Sequence, residues 1–228
     1  MTEPIAEQVP QPHYLSTREN WQAGAAVGGA ATRDSVADVA RTYLDTTYPG
    51  MYEVTKEPAD LKQLYYTHDY RLHPEAYTRP AAPTGEDVWW DAERRQFMSL
   101  RGGRLAVATG GGCTPDVRIR HKASGKNYFI ECKHQNDAGN AHERAAKYAT
   151  PSIVRLIQEA VGVNYHPIGY LFSGAMVEKR KYILELQATF DFAGDHLFLW
   201  KKERDPAVLG AWLEKAVIPL LGADYPHA

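Results

Sequence analysis

The chain is short of the residues that mark several large protein classes. Only Cys113 and Cys132 are cysteines, which is too few for a disulfide framework and the wrong spacing for a zinc site, so both are read as reduced thiols. No stretch approaches the roughly 20 consecutive apolar residues of a spanning helix, which argues against a helical membrane protein. Met1 to Tyr14 is acidic, carries three prolines and lacks the basic start and apolar run of a secretory signal. The cytoplasm is the expected compartment. A basic excess is missing too: the formal net charge is -2, unlike proteins that coat the phosphate backbone indiscriminately. A protein that concentrates its cations in one cleft is not excluded. Gly110-Gly111-Gly112 precedes a strand rather than a helix opening with Lys-Ser/Thr, so it is no nucleotide-binding loop. The nine histidines show no metal-ligand spacing, and no Ser or Cys nucleophile arrangement stands out.

What is present is an ordinary globular composition. With 228 residues, 44% of them hydrophobic and 24% charged, the chain suits one domain with a sizeable core. Residues 1–33, rich in Pro, Gly and Ala, read as an N-terminal arm or loosely packed segment, and residues 34–228 as a single domain. Val36, Val39, Ala40 and Tyr43 recur at helical spacing from Asp34-Ser35, and Tyr48-Pro49-Gly50 stops the run. The segment 51–84 gives no clear period. A helix is expected from Glu86 to about Leu100, ended by Gly102-Gly103, then a short strand at Leu105-Ala-Val-Ala. Val117 and Ile119, then Tyr128, Ile130 and Cys132, alternate on two strands joined by the turn residues Ala123-Ser-Gly-Lys. A helix from about Ala138 to Val161, strands at 168–172 and 196–200, and a helix capped by Asp205 with Pro206 at its first position complete the reading. The order implies an α/β (or α+β) fold with a central β-sheet flanked by helices.

The chemistry concentrates in Pro115-Asp116 and Glu131-Cys132-Lys133. Side chains two apart on a strand leave the same face, so Glu131 and Lys133 project together while Cys132 turns to the core. Asp116 heads the partner strand and can lie beside Glu131. Two adjacent carboxylates repel when ionised, and a hard divalent cation relieves that repulsion. Mg²⁺ suits such a site because it takes oxygen ligands and retains waters; the Cys132 backbone carbonyl offers one more oxygen. The Lys133 ammonium would hold the attacking water and offset charge building on a phosphorus-centred transition state. These are the parts that phosphodiester hydrolysis requires. The plainer reading is an exposed cross-strand ion pair, worth a few tenths of a kcal/mol.

Pro115-Asp116 with Glu131-Cys132-Lys133 resembles the PD-(D/E)xK nuclease signature. Glu131-Cys-Lys-His134-Gln135 followed by Gly139-Asn140-Ala141-His142-Glu143-Arg144 is similar to the EcoRI-like type II restriction endonucleases, over roughly residues 110–175. The resemblance implies a restriction-endonuclease-like core with a mixed sheet, and a homodimer cutting both strands of a palindromic double-stranded DNA site with Mg²⁺. It places Asp116, Glu131 and Lys133 at the cutting centre. It puts Asn140, Ala141 and Arg144 on the bases, Glu143 tying them together, and His134 and Gln135 at the DNA. A separate methyltransferase acting on the same site is implied as well. Helical spacing agrees in part: Asn140 and Arg144 are four apart, so they share a face, and both residue types bond purine edges in the major groove. The long excursion that separates the two motifs in the family is absent here. Outer-base reading therefore does not carry over, and an AATT-containing target is implied only for the centre.

Other charged residues are candidates of lower order. Arg94, Arg95, Arg101 and Arg104 precede the site, and Arg118, Arg120, His121 and Lys122 follow Asp116; they suit phosphate contacts if they line one cleft. Glu86 and Glu93, on the expected 86–100 helix, are candidate extra acids for the metal. The same centre would also serve a junction resolvase or nickase, and a non-catalytic DNA-binding module is the remaining alternative.

Overall fold

The computed structural model describes residues 13–136, 141–201 and 203–222, with side chains omitted for 13–26 and 60. Helix α1 spans His13–Thr47 and is followed by strand β1 at Tyr52–Lys56 and helix α2 at Leu64–Leu72. Three strands then form a small antiparallel meander: β2 (Val88–Asp91), β3 (Gln96–Arg101) and β4 (Arg104–Val107). Strands β5 (Val117–His121) and β6 (Asn127–His134) make a hairpin, and helices α3 (Ala141–Ala146) and α4 (Pro151–Val161) lead to β7 (Ile168–Ser173). Helix α5 (Arg180–Thr189), strand β8 (Leu197–Trp200), helix α6 (Pro206–Trp212), a π-helical turn and the short α7 (Ile218–Leu221) close the chain.

The main sheet has the order β1-β5-β6-β7-β8. Its first three strands are antiparallel, and β6, β7 and β8 run parallel. Parallel strands joined by helical crossovers are covered on both faces and read as continuous apolar runs. All six residues of β7 are buried, as are the first six of β6. On one face Val36, Ala37, Ala40 and Leu44 of α1 pack with Trp212, Leu213 and Val217 against Val117, Ile119, Ile130 and Cys132. On the other, Ala145, Tyr148, Ile157, Met176 and Leu186 cover Phe129, Tyr170 and Phe172. The fold is the expected central mixed sheet flanked by helices.

Three expectations from the sequence change. Helix α1 runs back to His13 rather than starting at Asp34, so residues 13–33 are helical rather than an arm; residues 1–12 lie outside the described residues. Gly28 lies within α1 against the His134 ring of the sheet, where an added Cβ would overlap it. The helix expected at 86–100 is instead the β2–β3 hairpin. Trp89 and its cross-strand partner Met98 are buried on one face, Phe97 packs with Trp90 on the other, the Asp91 carboxylate accepts from the Arg94 backbone N–H at 2.9 Å, and Arg95 turns the chain at φ 51°. The helix expected from 138 to 161 is broken, since Pro151 cannot continue α3 and opens α4 instead. Asp205 does cap α6, accepting from the Ala207 N–H at 2.9 Å.

Candidate active site

The β5–β6 register sets Val117 opposite Ile130, so Asp116 emerges beside Glu131 at the open end of the hairpin. The Cys132 N–H donates to Asp116 Oδ2 at 2.8 Å, fixing the aspartate across the strand. Lys133 Nζ donates to Glu131 Oε1 and, at 3.1 Å, to the Cys132 carbonyl, and lies 3.8 Å from Asp116 Oδ2. Glu131 is 3% exposed, and its Oε2 has no hydrogen-bond partner. Cys132 faces the opposite core, as the two-residue period requires.

Burial dominates the titration of both acids. It pushes Glu131 up to about 7, against the pull of Lys133 and with the added push of Asp116. Burial also raises Asp116, with Lys133 and the Cys132 N–H pulling the other way. Two carboxylates sharing one ammonium in a half-enclosed place form a site short of positive charge. The surrounding cleft, about 350 Å³, is also lined by Arg33, His134, Arg144 and Lys147.

A family model described as type II restriction enzyme MunI matches residues 104–222, more than half of the chain. The chain belongs to the MunI family of type II restriction enzymes. The curated MunI enzyme of a Mycoplasma species is 26% identical over 200 residues, covering 82% of this chain and 87% of that one. The crystal structure of MunI in complex with cognate DNA matches the fold with a TM-score of 0.56 at 19% identity, over 82% of this chain and 96% of that one. Membership makes the protein a site-specific deoxyribonuclease.

Within this MunI-family chain, the residues expected at the site divide into those the cleft gathers and those it does not. Asp116, Glu131, the Cys132 carbonyl, Lys133, His134 and Arg144 line it. Asn140 lies outside the described residues. Ala141 is 1% exposed in the core, and buried Gln135 accepts from the Ala141 N–H at 3.0 Å, holding the helix start. Glu143 is exposed beside the cleft rather than within it. Glu86 and Glu93 are on loops of the small meander, not on a helix, and neither lines the cleft.

The residues expected as phosphate contacts do not line this cleft. Arg94 is held by Asp91 at 2.7 Å, and Arg101 faces Arg104 across the exposed β3–β4 turn. Arg118 pairs across the sheet with Thr55 and Phe129, and Lys122 sits in the β5–β6 turn at the far end of the hairpin from Asp116. The cleft's cations are instead Arg33, Arg144 and Lys147 with Lys133. The Arg33 guanidinium is held by Glu57 and lies 3.5 Å from Asp34. Extending the Val36–Ala40 stripe back one turn would have reached buried Thr32 and, next to it, Arg33; Lys147 follows Arg144 by one helical turn.

Helix α1 is fastened to β6 by a polar cluster. His134 Nδ1 is 3.0 Å from Ser173 Oγ, which is 3.1 Å from Thr32 Oγ1, and Arg204 donates to Thr32 Oγ1 and His134 Nδ1 at 3.2 Å each. A donor at Nδ1 leaves the His134 proton on Nε2, and burial with Arg204 holds its pKa below the ordinary value. The ring lies against Gly28, where an added Cβ would overlap it, 3.0 Å from Nε2. Gly28→Ala is therefore expected to destabilise by about 1–2 kcal/mol. Gly29→Ala meets nothing within 4 Å and should stabilise by about 0.5–1 kcal/mol. Thermal melts of the two variants check this; a stabilised Gly28→Ala would show that α1 does not rest on His134.

Proposed function

We propose that the protein is a homodimeric, Mg²⁺-dependent endonuclease that hydrolyses one phosphodiester in each strand of a short palindromic duplex, leaving 5′-phosphates and 3′-hydroxyls. The observation that carries this reading is the buried Glu131 Oε2, unpartnered beside Asp116 and Lys133 in a cationic cleft. A buried carboxylate oxygen without a partner is costly, and a cation relieves it. The donor set fits Mg²⁺: Asp116, Glu131 and the Cys132 carbonyl would hold it, leaving other positions to water and phosphate. When bound, the ion supplies Lewis-acid charge at the phosphodiester.

The chain's own groups do the rest. Lys133 orients the attacking water and offsets charge on the phosphoryl oxygens as the bond to the 3′-oxygen breaks. Arg33 and Lys147 neutralise backbone phosphates at the cleft, and Arg144, with Asn140, reads purine edges at the centre of the target, an AATT-containing one by resemblance. A two-fold site calls for two copies of the chain, one per strand. A separate methyltransferase protects the same sequence in the cell. Among the described residues no helix is long and apolar enough to cross a membrane, and the cytoplasm, where the DNA lies, is the proposed compartment.

Digestion of a sequenced plasmid in Mg²⁺, with the ends mapped, tests the reading: discrete fragments with one end sequence are expected, and a smear would overturn it. Lys133→Ala should lose about 10²–10³ in turnover while still binding DNA. Single-turnover rates beside an anisotropy titration read both, and retained turnover would remove Lys133 from the chemistry.

A further inference from the structure

Outside the cleft the molecule carries a second cationic surface. A groove of about 860 Å³ lies between α2, with the turn before it, and the edge of the small meander. Lys62, Arg71 and Arg95 line it, and among the described residues no acidic side chain does. None of the three forms an ion pair with another described residue, whereas neighbouring Arg94 is held by Asp91. Arg95 occupies a left-handed backbone conformation at φ 51°, a conformation favoured by Gly or Asn and one that in other residues tends to accompany function. Tyr70 and Trp90 stack at 5.4 Å and 26° to form one wall. The floor is rigid, because Gln63 bonds the Phe97 N–H and the Phe97 and Ala108 carbonyls at 2.8–3.0 Å.

Two chain paths tie this groove to the cutting centre. The Glu57 N–H donates to the Asp116 carbonyl at 2.9 Å, and Ala59, two residues on, already lines the groove. Thr109, at its other side, is joined to Asp116 by the loop through Gly110–Pro115. Even fully extended, that loop spans at most about 25 Å, the length of roughly seven base pairs of duplex. The groove's Thr109 side thus lies within about 25 Å of Asp116.

We propose that this groove holds the phosphate backbone of the duplex flanking the recognition site, through Lys62, Arg71 and Arg95. The inference rests on the nuclease reading. It supplies grip outside the central bases in a chain that lacks the family's long excursion after the catalytic strand. Three cations without an ion pair to another described residue match a polyanion, and three phosphate contacts release about three counterions.

The test is equilibrium binding in EDTA, by anisotropy, to two duplexes centred on the mapped cut site. One ends about two base pairs beyond the site on each side and the other about twelve. The triple variant Lys62→Ala/Arg71→Ala/Arg95→Ala should bind the long duplex roughly 10- to 100-fold more weakly at 0.1 M salt, with a salt slope shallower by about 2–3. Its affinity for the short duplex should stay within about twofold, and Lys62→Arg/Arg71→Lys/Arg95→Lys should match the native chain on both. An unchanged affinity and slope on the long duplex would overturn the proposal, as would an equal loss on both. Plasmid cutting by the native protein tests the nuclease reading separately, so the two failures are distinguishable.

Discussion

Glu131→Gln is expected to abolish cutting, by about 10³-fold or more, and at pH 8 in EDTA to resist urea better than the native chain by about 1–3 kcal/mol. Loss of activity follows from removing a carboxylate proposed to hold the ion. The gain in stability follows from burial, which lifts the Glu131 carboxyl from 4.5 to about 7. An acid whose folded value is raised binds its proton more tightly when folded, so the folded state loses stability as pH climbs from the unfolded value through the folded one. The native protein therefore carries the full cost above about pH 7 and none below about pH 4.5, and a neutral amide carries none at either. The variant still leaves Lys133 its contacts with the Cys132 carbonyl at 3.1 Å and with Asp116 at 3.8 Å. Urea titrations of both proteins at pH 8 and pH 4.5 should show the gap closing at the lower pH. Mg²⁺ should raise the midpoint of the native chain and leave the variant unmoved. A variant less stable at pH 8, or a gap independent of pH, would mean that Glu131 is satisfied without a cation.

Gly112→Ala is expected to cost about 3 kcal/mol or more and to slow cutting by about 10²-fold, although the residue touches neither carboxylate. An added Cβ would overlap the Leu61 carbonyl oxygen and lie 2.7 Å from the Lys62 carbonyl carbon and 2.9 Å from Leu64 N. All three are backbone atoms that no rotamer change moves aside. The loop is pinned there, with the Cys113 N–H donating to the Leu61 carbonyl at 3.1 Å and the Tyr65 and Tyr66 N–H groups to the Gly111 carbonyl. To admit a methyl group, the loop must shift, and Asp116 is four residues along it. A melting curve and single-turnover rates measure the two effects; a variant as stable and active as the native protein would show that the loop does not hold Asp116.

The same glycines show where sequence reasoning stopped. Gly110-Gly111-Gly112 is no nucleotide-binding loop by its sequence context, and what it does is bring Gly112 against the chain's own Leu61–Leu64 backbone. Glu86 to Leu100 holds helix formers and predicts a helix, whereas the cross-strand pairing of Trp90 with Phe97 in the small aromatic core, with Asp91 closing the turn, makes it the β2–β3 hairpin. Local propensity lost to tertiary packing there.

By itself the sequence determined the β5–β6 hairpin, the shared face of Glu131 and Lys133, the inward Cys132, the buried run of β7 and the cap at Asp205. Each depends on neighbours within a few residues, on a period of two, or on one turn or cap, so local chemistry suffices. Tertiary structure alone decided that α1 reaches across to set Arg33 in the cleft and that Gln135 and Ala141 turn inward. Those outcomes follow from contacts between segments far apart in the chain, such as Thr32 with Ser173 at 3.1 Å and Arg204 with His134 at 3.2 Å, which no local pattern encodes.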